Sequence, residues 1–152
     1  KDCGVRHFPR VDPVVIMMVV NNDTALLGRQ SFWKPGMYST LAGFIDPGES
    51  VEEAVRREVL EETGVVVGDV IYHSSQPWPF PSSLMIGCIS NALSTQLNVD
   101  TTEVEAAAWF TRDEVKTGIR RILEGQPEDG SFHLPFEHSI AHQLAAWWVA
   151  NG

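Results

Sequence analysis

Glu58, Glu61 and Glu62 carry the chemistry most open to reading in this chain. Their spacing, i, i+3 and i+4, puts the three carboxylates on one face if the segment is helical. Three like charges on one face repel and weaken a bare helix. Such a cluster is either a solvated acidic surface or a site bridged by a cation. An all-oxygen donor set suits Mg²⁺ or Mn²⁺, which keep coordination places for water and for phosphate oxygens.

The flanking residues predict how that helix is held. Pro47-Gly48 is a turn signal, and Ser50 is a good N-cap residue. Glu53 lies three residues on and completes a capping box. Val51, Ala54, Val55, Val59 and Leu60 supply an apolar stripe, and Gly64 is suited to ending the helix. The helix is therefore expected over 51–63.

Apolar runs predict strands over 14–20, 25–29, 38–44 and 84–91, one or two over 65–75, and a shorter one over 105–110. Asn21-Asn22-Asp23 reads as a hairpin turn. Helices are expected over 112–123, with a break near Gly118, and over 138–149; residues 126–137 read as a loop. Strands interleaved with few helices predict an α/β/α sandwich, a mixed sheet between helices.

Length and charge bound the alternatives. The 152 residues suffice for one domain with a real core. A net charge of −9 argues against a broad nucleic-acid-binding surface, and phosphates are not drawn in by net charge. The two cysteines, Cys3 and Cys88, suggest no disulfide framework, and Cys88 lies in an apolar run that reads as core. No stretch is long and apolar enough for a membrane span, and no signal peptide is visible. The expectation is an intracellular protein, with cytosol, mitochondrion and peroxisome all open. The chain starts at Lys1 without Met, as expected of a processed or trimmed piece of something longer.

The stretch Gly43-Phe-Ile-Asp-Pro-Gly-Glu49 to Arg57-Glu58-Val-Leu-Glu61-Glu62-Thr-Gly64-Val65 resembles, at every defining position, the signature of the Nudix hydrolases (G-x5-E-x7-R-E-U-x-E-E-x-G-U). Ser75-Gln-Pro-Trp78-Pro-Phe80-Pro-Ser-Ser83 is similar to the S-Q-P-W-P-F-P-x-S motif of the NADH pyrophosphatase subfamily. The resemblance extends through 7–16, 41–44 and 139–144. It implies residues 14–152 as a Nudix α/β/α catalytic domain, with 1–13 the remnant of an N-terminal segment or zinc-ribbon linker. Cys3 alone cannot make the subfamily's four-cysteine zinc site, so no structural zinc is expected.

That resemblance also implies roles. Two to three Mg²⁺ or Mn²⁺ ions would be held by Glu58, Glu62, the Ala42 carbonyl and Glu103, with Glu61 a further ligand or the base for the attacking water. Glu105 is the rival to Glu103. Gly43, Glu49, Arg57 and Gly64 are structural parts of the signature, with Arg57 bracing Glu49 rather than clamping phosphate. Phe44, Gln76, Ser83, Met85 and Ala141 match the subfamily's base pocket, which Phe8 would close from a partner subunit of a homodimer. The motif itself leaves Trp78 and Phe80, on a stiff proline-rich loop, as a stacking wall, a dimer contact or a corner of the core. His138 and His142, four apart, could be read as metal ligands, although helix packing explains them. Arg29 and Lys34 are candidate phosphate cations.

The implied reaction is hydrolysis of the diphosphate bridge of NAD(H) and related dinucleotides to AMP and nicotinamide mononucleotide. The alternatives are removal of NAD caps from RNA 5′ ends, hydrolysis of ADP-ribose, NADPH or FAD, and a non-catalytic sensor module, which the intact glutamates disfavour.

Overall fold

The computed structural model describes residues 3–125 and 129–151. Residues 126–128 of the expected 126–137 loop lie outside them. Six strands and three helices follow in the order β1 (Asp12–Asn21), β2 (Thr24–Arg29), β3 (Leu41–Phe44), α1 (Val51–Thr63), β4 (Val67–Trp78), β5 (Ser83–Ala92), β6 (Ala106–Thr111), α2 (Arg112–Leu123) and α3 (Ile140–Ala150). The sheet runs β4-β5-β1-β2-β6, with β3 also paired to β1. Only β1–β5 is parallel, so the sheet is mixed as expected.

β1 shows why the apolar run at 14–19 is continuous rather than alternating. Val15, Met17 and Val19 pack with Ala54, Val55 and Val59 of α1. Ile16 and Met18 pack on the opposite face with Val115 of α2 and with Ile140 and Leu144 of α3. A central strand covered on both faces must be apolar at every position. This is the α/β/α sandwich.

Several expectations need correcting. The strand expected over 38–44 is shorter, Leu41–Phe44, preceded by an isolated bridge from Ser39 to Gly28. Leu60 is exposed, because it lies about 100° around the helix from Val59. Helix α2 does not break at Gly118. A Cβ there would press on the Phe132 ring, so the glycine admits an aromatic side chain to the helix surface. The last helix starts at Ile140, capped by Ser139, which leaves His138 outside it.

The proline-rich motif is not simply a loop. β4 continues through Pro77 to Trp78, paired with Leu84 and Ser83, and the turn follows. Pro77 is tolerated because β4 is an edge strand, where a missing N–H breaks no ladder on its open side.

Candidate active site

The Ser50 capping box fixes the start of α1. Ser50 Oγ accepts from the Glu53 N–H, and the Glu53 carboxylate accepts from the Ser50 N–H. Gly64 ends the helix at φ 73°, a left-handed conformation costly for other residues. Between these caps, α1 presents its glutamates toward β3.

Arg57 is the hub of the site. Its Nε and Nη2 donate to the two Glu49 oxygens, both at 2.8 Å, and Nη2 donates to the Phe44 carbonyl at 2.9 Å. Nη1 donates to Glu58 at 2.8 Å and to Glu61 at 3.1 Å. The fork ties the turn before the helix to the end of β3. Arg57 holds the Glu49 carboxyl down at about 2, helped by the Asp46 N–H.

Gly43 lets β3 run against that helix. A Cβ there would land inside the Glu58 carboxylate, so glycine is a requirement of close approach. Glu58 is raised above the usual carboxylate range, first by burial. Glu62 goes further, to about 8, through burial and then the charges of Glu58, Glu103 and Glu61. Glu62 is only 6% exposed, and its Oε2 has no hydrogen-bond partner among the described residues. A buried, unpaired carboxylate oxygen is costly unless something positive meets it.

The donor set, the orphaned Glu62 oxygen and the Gly43 cradle fit a divalent cation. Among the described residues, no three His, Cys, Asp or Glu side chains converge closely enough to hold an ion as they stand. Arg57 engages Glu58 and Glu61 in this arrangement. Glu103 contributes its charge to both Glu58 and Glu62. Glu105 instead pairs with Arg29. Arg29 also donates to the Lys34 and Trp33 carbonyls and so is committed to its own loop.

Beside the carboxylates lie two cavities. A recess of about 80 Å³ is lined by Glu62, Ala42, Thr40, Trp33 and Arg29, among others. A larger cavity of about 410 Å³ has walls of Trp33, Met37, Trp78, Met85, Phe136 and Ala141. The two share Trp33, Thr40 and Ala42. Trp78 and Phe136 stack at 6.2 Å with an interplanar angle of 27°, and both rings line the cavity.

The expected pocket residues divide. Gln76, Met85 and Ala141 line the large cavity. Gln76 is already committed, donating to the His138 carbonyl at 2.7 Å and accepting from the Ile140 N–H at 2.8 Å. It pins α3 to β4. Phe44 is 59% exposed and Phe8 83% exposed, and neither lines the cavity in a single chain. Ser83 pairs with Trp78 at the hairpin and is not in the lining. His138 pairs with Glu137, whereas His142 is buried against the Pro135 carbonyl, so the two histidines do not form a site.

Sequence reasoning missed Trp33, Met37, Thr40 and Phe136. Trp33 and Phe136 sit in segments without helix or strand periodicity, so nothing in their spacing pointed to the cavity.

Comparisons agree with this layout. A NUDIX domain model matches residues 10–142. The chain is 54% identical to the NAD-capped RNA hydrolase NUDT12 of Macaca fascicularis, over 98% of this chain and 33% of that protein. It is 57% identical to the chloroplastic Nudix hydrolase 19 of Arabidopsis thaliana, over 97% and 42%. It is 47% identical to the human mitochondrial NAD(P)H pyrophosphatase NUDT13, over 96% and 43%. It thus spans between a third and a half of these relatives. A solved NUDIX hydrolase from Nitrosomonas europaea superposes with a TM-score of 0.65 at 20% identity, covering 87% of this chain and 81% of that one, which speaks to the fold alone. With the signature glutamates, the Arg57–Glu49 fork and the sandwich all present, the chain belongs to the Nudix family.

Proposed function

We propose that this domain is a metal-dependent pyrophosphohydrolase that cleaves the diphosphate bridge of NAD(H) and related dinucleotides, giving AMP and a nicotinamide mononucleotide. One observation carries the reading. A buried acidic site with an unpaired carboxylate oxygen opens, through shared residues, onto an aromatic-walled cavity wide enough for a base.

In this reading Glu58, Glu62, Glu103 and the Ala42 carbonyl would hold Mg²⁺ or Mn²⁺, with Glu61 a further ligand or base. The bound cation supplies charge neutralisation at phosphate and a more acidic water. Water attacks one phosphorus, the bond from that phosphorus to the bridging oxygen breaks, and the departing mononucleotide takes the electron pair. The water's proton passes to a carboxylate of the cluster. Arg57 holds the turn, β3 and α1 in register and is a positioning residue. Trp78 and Phe136 form the wall against which a base stacks.

Removal of NAD caps from RNA is the second reading, favoured by the similarity to the NAD-capped RNA hydrolases NUDT12. It breaks the same bond. The charge of −9 argues against high RNA affinity but leaves room for an RNA 5′ end to enter the pocket. A homodimer is also part of the proposal, supported by exposed Ile71 and Tyr72 on the edge strand β4 and by exposed Trp147 of α3, whose ring packs edge-on against His73 of the same strand. Among the described residues, no helix is long and apolar enough to cross a membrane.

The test is a panel of NADH, NAD⁺, NADPH, FAD, ADP-ribose and NAD-capped RNA with Mg²⁺ or Mn²⁺, products read by mass. The reading expects the highest kcat/KM on a dinucleotide containing nicotinamide. Hydrolysis confined to substrates without nicotinamide would overturn it.

A further inference from the structure

Two buried side-chain polar atoms lack a hydrogen-bond partner among the described residues, Glu62 Oε2 and Thr40 Oγ1. Both residues line the small recess beside the carboxylates. The proposed cation would account for Glu62. It would not account for Thr40. Thr40 is 5% exposed, it stands just before β3, and it lines the large aromatic cavity as well as the recess. Ser39 beside it pairs its backbone with Gly28 in both directions, so the chain is fixed there and the Thr40 hydroxyl is held at the junction. A buried hydroxyl without a partner is disfavoured in a folded chain and calls for an explanation.

We propose that Thr40 is a specificity residue whose hydroxyl hydrogen-bonds a ribose hydroxyl of the bound nucleotide. This rests on the pyrophosphohydrolase reading above. A nucleotide is built in the order base, ribose, phosphate. If the base takes the aromatic cavity and the phosphate faces the carboxylates, the ribose passes the junction that Thr40 shares with both cavities. A threonine hydroxyl can donate or accept, as a ribose hydroxyl can, so the two form a matched pair. A site built to meet a hydroxyl rejects an analogue that lacks it, because its own polar group is then left unpaired. Thr40 would therefore read sugar identity, while the aromatic wall, which offers only stacking, stays tolerant of the base.

The experiment uses a symmetrical substrate, two adenosines joined by a diphosphate, so that either half presents the same sugar. Its bis-2′-deoxy and bis-3′-deoxy analogues are assayed alongside it, with wild type, Thr40→Val and Thr40→Ser. Val keeps the shape and removes the unpaired hydroxyl, so its melting temperature should match or exceed the wild type. On the ribose substrate Thr40→Val should lose about tenfold in kcat/KM, and Thr40→Ser should retain most of the rate. On one of the two deoxy analogues, wild type should fall by a similar factor and Thr40→Val should fall no further.

Equal rates for Thr40→Val and wild type on the ribose substrate would overturn the proposal. So would the same fold loss on the ribose substrate and both deoxy analogues, which would assign the hydroxyl to the carboxylate site instead. A drop in melting temperature of the Val variant would mark the hydroxyl as structural and also overturn it. If wild type cleaves none of these substrates nor any other dinucleotide, the pyrophosphohydrolase reading itself fails; cleavage by wild type without sugar discrimination sinks only the role of Thr40.

Discussion

Gly43→Ala separates the site from the fold. Gly43 lies in extended β3, paired with Val15, so alanine suits its backbone. The added Cβ would fall inside the Glu58 carboxylate, against the 3.0 Å that Cβ atoms essentially never breach. Something must retreat by more than about 1 Å, and the end of a glutamate moves more readily than a paired strand. Glu58 then loses its hydrogen bond from Arg57 and its place beside Glu62. A displacement of about 1 Å in a reacting group is enough to cost on the order of 100-fold in rate. Stability should fall by only about 1 kcal/mol, or 2–4 °C for a domain of this size. The assay is kcat/KM on NADH with Mn²⁺, paired with thermal melting. Gly43→Ala should lose about 100-fold while melting almost as wild type, and Gly43→Ala with Glu58→Ala should be no worse than Glu58→Ala alone. Activity within threefold of wild type would refute the cradle. So would a melting drop above about 10 °C, which would mean that β3 moves instead of Glu58.

Glu62→Gln should abolish most turnover and also flatten a pH dependence. In chelator-treated protein, Glu62 keeps its proton up to about 8 when folded but loses it at 4.5 when unfolded, so stability should fall as pH rises between those values. The loss from pH 5 to 8 is about 3 kcal/mol, and comparing denaturant midpoints of wild type and Glu62→Gln across that range should show it shrink. Arg57→Lys keeps the charge but not the fork on Glu49 and the Phe44 carbonyl; kcat should fall at least tenfold, with little change in KM. Glu103→Ala should raise the Mn²⁺ concentration needed for half activity, whereas Glu105→Ala, which only frees Arg29, should leave it unchanged. Phe136→Ala should raise KM severalfold by removing the ring stacked on Trp78, leaving kcat largely intact.

The signature helix was legible in the chain almost to the residue, because its caps and its buried stripe are local: Ser50 pairs with Glu53 at one end, and Gly64 bonds back to Leu60 at the other. The layered architecture was legible too, since β1 advertises burial on both faces through its unbroken apolar run. What stayed hidden depends on distant partners. Gln76 lines the cavity, but both ends of its amide are committed to residues 62 and 64 positions away, which no local pattern reveals. Trp33 and Phe136 reach the same cavity from loops that carry no periodic signal. Pro77 was a reason to expect a loop, because nothing local reveals that β4 lies at the sheet's edge. Glu105 is paired with Arg29, which lies more than seventy residues earlier.

Hydrolysis of the diphosphate bridge of NAD(H) at the carboxylate cluster of α1 leaves a distinct isotopic signature in its products. The most direct measurement is product analysis by mass in ¹⁸O-labelled water, with Mg²⁺ or Mn²⁺, for wild type and Glu62→Gln. AMP and nicotinamide mononucleotide should form in equal amounts, with one ¹⁸O in a phosphate of one of them and a rate lowered by orders of magnitude in the variant. Release of free nicotinamide, label outside the phosphates, or an undiminished rate in Glu62→Gln would contradict hydrolysis of that bridge at this cluster.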